Sequence, residues 1–184
     1  TSTVKQVTRI VAGDDRTVYD HVSITLHWLT AALVLAQFVL ALTWDGFARP
    51  THRLMVAAHM SFGIVLAAVI VFRIAWRVIP GHQTAPAVSG WTDVASRAVH
   101  YLLYAMLAAE AVLGFMLRWG GNESMNFFGL LMAPPFAPFS KATEHLIEEL
   151  HEANGWAIVL LAGAHAAAAL YHHYVLRDPV LSRM

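Results

Sequence analysis

Cysteine is absent from all 184 residues. That excludes disulfides, thiolate-held iron–sulfur clusters and covalent attachment of a c-type haem, so any haem on this chain is held by coordination and packing alone. Charge is scarce as well: Asp, Glu, Lys and Arg make up 13% of the residues, and 12 basic side chains balance 12 acidic ones. With no basic excess, nucleic acid is not an expected partner. The first twenty residues lack the apolar stretch of a signal peptide and hold Lys5, Arg9 and Arg16 beside Asp14, Asp15 and Asp20. The N-terminus is therefore expected to stay in the cytoplasm. No internal repeat is visible, and the only biased tract is an alanine-rich run around residues 162–169. What is abundant is apolar surface, 58% of the residues, together with eleven histidines. This is the composition of a membrane protein.

A helix needs about 20 apolar residues to cross a bilayer, and four segments reach that length. Val22 to Trp44 contains no Asp, Glu, Lys or Arg. Leu54 to Phe72 is equally free of them and is closed by Arg73 and Arg77, then by "PGHQTAP". Ala98 to Leu117 is broken only by Glu110, and Ala153 to Leu176 runs into "RDP", where Pro179 stops further helix. Open strands leave backbone groups unsatisfied in lipid, so the expected fold is an all-α integral membrane four-helix bundle. It forms a single domain over residues 1–184, with spans at about 22–44, 54–76, 98–117 and 153–176.

Counting Lys and Arg by side orients the bundle. With the N-terminus inside, Lys5, Arg9, Arg16, Arg73, Arg77, Arg97, Arg177 and Arg183 lie inward, whereas Arg49, Arg53, Arg118 and Lys141 lie outward. That asymmetry places both termini in the cytoplasm. Trp28, Trp44, Trp76, Trp91, Trp119 and Trp156 fall near span ends, as interfacial anchors do. The longest connection, "GGNESMNFFGLLMAPPFAPFSKATEHLIEELHE", is expected outside, lying on the membrane face with a short helix at Lys141 to Glu152.

The stretch "LAGAHAAAALYHHYVL" buries three imidazoles among alanines and leucines. An unpartnered ring in such a setting is unfavourable, so these histidines need something to bind. His165 follows His151 by 14 residues, close to four whole turns and roughly 21 Å of rise, so both rings leave one face of the fourth span. By depth His27 matches His165 on the inner side, and His59 matches His151 on the outer side. Each pair joins two helices, as two stacked haems would require, with an imidazole on each face of each iron. The residue four places after each of these histidines is Ala31, Gly63, Gly155 or Ala169, which leaves room for a macrocycle. Interhelical hydrogen bonding by the same rings is the competing reading. A single zinc ion is not, because rings about 20 Å apart cannot converge on it.

The segments "ITLHWLTAALVL", "VAAHMSFGIVLAAVIVFRI", "VHYLLYAMLAAEAVLGFML" and "HEANGWAIVLLAGAHAAAALYHHYVLRDPVLSRM" resemble the bacterial cytochrome b561 family of four-helix di-haem membrane proteins. The likeness runs from about residue 20 to the last residue, and "GAHAAAALYHHY" followed by "RDPVLSRM" is its most specific part. The resemblance implies haem ligands from the first, second and fourth helices, which here are His27, His59, His151 and His165. It implies two b-type haems, a bacterial inner-membrane location, lipid contact and ubiquinone as electron acceptor. Some relatives are similar to superoxide oxidases, which reduce ubiquinone with electrons from superoxide; others only pass electrons between a redox partner protein and the quinone pool. The expected activity is therefore a superoxide:ubiquinone oxidoreductase, with a haem-b carrier subunit for a membrane dehydrogenase or hydrogenase as the alternative. A histidine-lined metal or proton transporter is the reading from a different class.

Beyond the ligands, Arg49, Arg53, Arg118 and Lys141 are candidates for steering an anion to the outer face, though Glu144, Glu148, Glu149 and Glu152 oppose them. His100, His172, Arg73 and Arg77 are candidates for a haem propionate or the quinone, and the basic bias of the inner face explains the arginines equally well. His173 shares the role considered for His172, and Arg97 that of the inner arginines. Glu110 departs from the family pattern, which carries an apolar residue there. A carboxyl inside a span is expected to be neutral and to carry a proton toward a quinone or to bond a neighbouring helix, the second role being preferred.

Overall fold

The computed structural model describes residues 20–79 and 91–177. Expectations resting on Lys5, Arg9, Arg16, Pro179 and Arg183 lie outside the described residues. Four helices dominate: α1 over His21–Thr43, α2 over Arg49–Val78, α3 over Trp91–Gly120 and α4 over Lys141–Tyr171. All four are long and apolar enough to cross a membrane. Their outward faces carry Leu35, Val71 and Leu160, which are 65–69% exposed, and helices this apolar all round are lipid-facing spans. The chain is a multi-pass membrane protein built as a four-helix bundle.

Helix starts follow local chemistry. Asp20 caps α1, accepting the Ser23 N–H at 2.9 Å and the Ser23 hydroxyl at 2.7 Å. The same carboxylate accepts from Trp76 Nε1 at 3.2 Å, which ties the beginning of α1 to the end of α2. A 3-10 turn at Trp44–Gly46 leads out of α1, and Pro50 stands in the first turn of α2, where its missing N–H goes unused. Ser140 caps α4 by accepting the Thr143 N–H at 3.2 Å.

Two expectations about the outer connection change. The short helix placed at Lys141 to Glu152 is instead the opening of α4, a continuous 31-residue helix. No proline interrupts Lys141–Tyr171, and its two glycines, Gly155 and Gly163, do not break a helix. At 1.5 Å per residue α4 is about 46 Å long, well beyond a hydrocarbon core of about 30 Å. Its charged opening turns therefore extend beyond the apolar span, while Ile147 and His151 within them still face inward. α4 finishes in a π-helical turn at His172–Leu176, closed by Arg177 in the left-handed conformation at φ 55°.

The rest of the connection folds into a two-stranded antiparallel hairpin, β1 Met125–Phe127 paired with β2 Leu130–Met132. Its turn is Phe128 at φ 49° and Gly129 at φ 96°, the positive-φ pair of a type I′ turn. The Asn126 side chain accepts the Gly129 N–H at 2.8 Å. Ser61 of α2, 2% exposed, holds the hairpin down. Its hydroxyl accepts the Phe128 N–H at 3.0 Å and faces the Asn126 carbonyl at 3.1 Å. Ser61→Ala is expected to destabilise this end by about 1–2 kcal/mol, because the Phe128 N–H loses its acceptor. Thermal unfolding in detergent and the rate of proteolysis between residues 125 and 132 are the measurements.

Helix α1 packs mainly on α2 and α3 mainly on α4, α2 touches α3 less, and α1 meets α4 at few places. Where the pairs close, Leu66, Ile70, Leu107 and Ile158 form a small buried cluster flanked by Leu33, Val34 and Met106. Ile158 lies seven residues from His151 and seven from His165. The apolar cluster thus stands midway between two histidine layers, one at the hairpin end and one at the Asp20 end.

Candidate functional site

Both depth-matched pairs are adjacent in space. His59 of α2 faces His151 of α4 with ring centres 6.4 Å apart and planes at 81°. His27 of α1 faces His165 of α4 at 6.5 Å and 70°. These separations can be tested against an iron held between two imidazoles. Two metal–nitrogen bonds of about 2 Å, with ~1.1 Å from each ring centre to its nitrogen, put the centres about 6.2 Å apart. Both pairs fit that spacing. His100 also approaches His165, but at 4.9 Å between centres it stands too close to share an ion lying between the two rings.

Hydrogen bonds decide which ring nitrogen is bare. At the hairpin end His59 Nδ1 lies 3.3 Å from the Gln37 carbonyl, and His151 Nδ1 lies 3.2 Å from Glu110 Oε1. An oxygen acceptor beside Nδ1 keeps the proton there and leaves Nε2 with a lone pair for a metal. His59 is thus in the ligand-ready tautomer, and Glu110 stands beside the same nitrogen of His151 without a formed hydrogen bond. At the Asp20 end Arg73 Nη2 stands 3.1 Å from His27 Nδ1. A guanidinium only donates, so the proton of His27 is on Nε2. For His27 to bind iron through Nε2, Arg73 must turn to another acceptor. Arg73 also lies over the Tyr104 ring at 5.2 Å, and Arg77 follows one turn later at the end of α2. His100 Nδ1 donates to the Ser96 carbonyl at 2.7 Å, leaving its Nε2 free to bind.

Small residues after the histidines behave differently from the expectation. A side chain at Gly63 would meet Gln37 Nε2 at 2.8 Å, and one at Gly155 would meet Glu110 Oε1 at 3.2 Å. These two positions admit polar side chains of the neighbouring helices. The residue that lets the His151 ring approach α3 is Gly114, whose added Cβ would sit 3.4 Å from His151 Cε1. No sequence signal marked Gly114, because its partner depends on the register of α3 against α4.

Glu110 bonds a neighbouring helix, as preferred from the sequence. Asn154 Nδ2 donates to Glu110 Oε2 at 2.7 Å and to the Met106 carbonyl at 2.9 Å. The other Glu110 oxygen, Oε1, stands 3.2 Å from His151 Nδ1. Asn154 went unnoticed in the sequence because an Asn-Gly pair just before a tryptophan-led apolar run reads as a loop.

The remaining candidates are spread over both ends. Arg49 and Arg53 stand exposed one turn apart at the start of α2. Arg118 is paired with Glu123 and donates to the Ser124 carbonyl at 3.3 Å, so it braces the turn after α3. Lys141 pairs with Glu144 at 2.6 Å. Glu149 lies 3.7 Å from His145, while Glu148 and Glu152 are exposed. His172 begins the π-helical turn and stacks edge-on to Tyr171 at 6.4 Å, and His173 does the same with Tyr174 at 4.8 Å. Arg97 pairs with Asp93 within the first turns of α3.

Residues 18–184 match the family model described as "Prokaryotic cytochrome b561". Among similar proteins, "Cytochrome b561 homolog 2" of Escherichia coli (strain K12) is 32% identical over 173 residues, 90% of each chain. The protein named "Probable superoxide oxidase CybB" of Yersinia pestis is 30% identical over 169 residues, 90% of this chain and 94% of its own. "Cytochrome b562" of Cereibacter sphaeroides is 29% identical over 172 residues, again 90% and 94%.

Proposed function

The chain belongs to the prokaryotic cytochrome b561 family of haem-b membrane electron-transfer proteins, and from that premise we propose that it carries electrons across the bacterial inner membrane through two haems, from superoxide outside to ubiquinone. The observation that carries this reading is the pair of histidine couples, 6.4 and 6.5 Å between ring centres, at two depths on either side of an apolar cluster. His59 and His151 would hold one haem, His27 and His165 the other. A haem with histidine on both faces supplies one-electron outer-sphere transfer and leaves no position for oxygen to bind.

The side chains around these ligands supply the rest. Gln37 keeps His59 in the binding tautomer, and Glu110 stands 3.2 Å from the corresponding nitrogen of His151. Arg73 would pair with a haem propionate, which frees His27 to ligate. His100, Arg77 and His172 are then left to contact the second propionate or the quinone at the Asp20 end. The basic bias of residues there supports a cytoplasmic N-terminus and a hairpin end facing out. Exposed Arg49 and Arg53 would draw a small anion to that end, with less help from Arg118 and Lys141, whose charges are already paired. Two superoxide ions each give up one electron and leave as oxygen, and one quinone takes two electrons and two protons.

The carrier reading is favoured by one observation, the run of acidic side chains from Glu144 to Glu152 at the hairpin end. A single experiment separates the two. Purified protein given superoxide and a soluble ubiquinone analogue is expected to reduce the quinone at a rate well above the uncatalysed reaction. Reduction of the haems only after a partner dehydrogenase is added would replace the enzyme reading with the carrier.

A further inference from the structure

We propose that Glu110 is a positioning residue for the hairpin-end haem, orienting the His151 ring and lowering the reduction potential of the iron behind it. This rests on the reading above that His151 is a haem ligand. Four residues frame the contact. Glu110 Oε1 lies 3.2 Å from His151 Nδ1, and both side chains are only about a quarter exposed or less, 21% and 24%. Asn154 fixes the other oxygen at 2.7 Å and anchors itself on the Met106 carbonyl, using both amide hydrogens. Gly155 gives Glu110 its space, since a Cβ there would stand 3.2 Å from Oε1. Gly114, one turn after Glu110 on α3, gives the His151 ring its space.

The four ligand candidates are not equivalent in this respect. Among the described residues, His59 leans on a neutral carbonyl, His27 faces a guanidinium, and His151 faces a carboxylate. A carboxylate this close to Nδ1 raises the basicity of the imidazole and favours the ring orientation that turns Nδ1 toward it. A more basic ligand favours the oxidised iron, which carries one more positive charge. The arrangement makes the haem facing the superoxide side the harder one to reduce, so electrons entering there move downhill toward the Asp20 end.

The test uses the full chain purified with its haems, titrated redox-wise by absorption and read by electron paramagnetic resonance of the ferric state. Glu110→Gln keeps the size and an acceptor oxygen but loses the charge. It is expected to retain both haems and to shift the reduction equilibrium of one of them by about tenfold, about 59 mV for one electron, toward the reduced form. The resonance of that haem should shift with it while the other stays. Asn154→Ala cuts the tie between α3 and α4 but leaves the His151 contact. It should lower thermal stability without raising either potential. If Glu110→Gln leaves both equilibria within twofold of the unmodified chain, or if both variants shift them alike, Glu110 is only an interhelical tie and the proposal fails.

A second measurement needs no change at Glu110. In His27→Ala, which leaves only the hairpin-end haem, the surviving potential should be the lower of the two seen in the unmodified chain. Finding the higher one would also overturn the proposal. His151→Ala distinguishes the levels: retention of both haems defeats the ligand reading and this inference with it. Loss of one haem, combined with an unshifted Glu110→Gln, defeats only the role given to Glu110.

Discussion

Replacing His59 or His151 by alanine is expected to halve the haem content of the purified chain, and replacing both should do no more than either alone. The same should hold for His27 and His165 with the other haem. The reason is geometric. Each iron would take one ring from each of two helices, with ring centres 6.4 Å apart in one pair and 6.5 Å in the other. Losing either ring removes an axial bond, and the opposite imidazole cannot supply it. The pairs are insulated from each other by Leu66, Ile70, Leu107 and Ile158, so damage at one depth should not spread. A haem-to-protein ratio and the split of the absorption band read the outcome directly. Electron flow from one membrane face to the other should fall below detection in every such variant, because half of the relay is gone. Full haem content in His59→Ala would mean that the pairing is wrong, and retention of both haems by all four variants would remove haem ligation from these residues altogether.

The pairing was legible in the sequence because the α-helix is a ruler. A fixed rise per residue converts His151 and His165 into two depths on one face, and the span ends set the depths of His27 and His59. Nothing comparable fixes how one helix is rotated against the next. That is why Glu110 was visible as an odd carboxyl, while its partners Asn154 and His151 were not. The same gap hid Arg73 beside His27. The hairpin escaped for another reason. Its turn is Phe128 and Gly129 in a conformation where asparagine or aspartate usually precedes the glycine, so "NFFGLL" reads as an apolar loop. What holds Phe128 in a left-handed conformation is Ser61, 67 residues away in the chain, and no local pattern reports a contact that distant. The ends of α2, α3 and α4 were underestimated because hydropathy marks where lipid stops, whereas a helix once nucleated continues into water until something breaks it.

Reversing charge at the start of α2 should produce the second large effect. Arg49→Glu combined with Arg53→Glu is expected to slow superoxide-driven quinone reduction by tenfold or more at low ionic strength, with haem content and spectrum unchanged. Steered association of a small ion with a charged entrance changes rates by about 10 to 1,000-fold and weakens steeply with salt. The two arginines are exposed, one turn apart, and six and ten residues before His59 on the same helix. At 1.5 Å per residue that puts them roughly 9 and 15 Å above the ring along the axis, on the approach to the hairpin-end pair. Asp45, the nearest carboxylate in sequence, lies 3.5 Å from His52. Arg118→Gln and Lys141→Gln should each change the rate less, since each removes a single positive charge whereas the double variant reverses two. The diagnostic is the salt series. In the unmodified chain the rate should fall as salt rises and the Debye length shrinks from about 30 Å at 0.01 M toward about 8 Å at 0.15 M. In the double variant the dependence should flatten or invert. A rate in the unmodified chain that ignores salt would show that the hairpin end does not gather an anion, and the acidic opening turns of α4 would then define the face that a cationic or protein donor approaches.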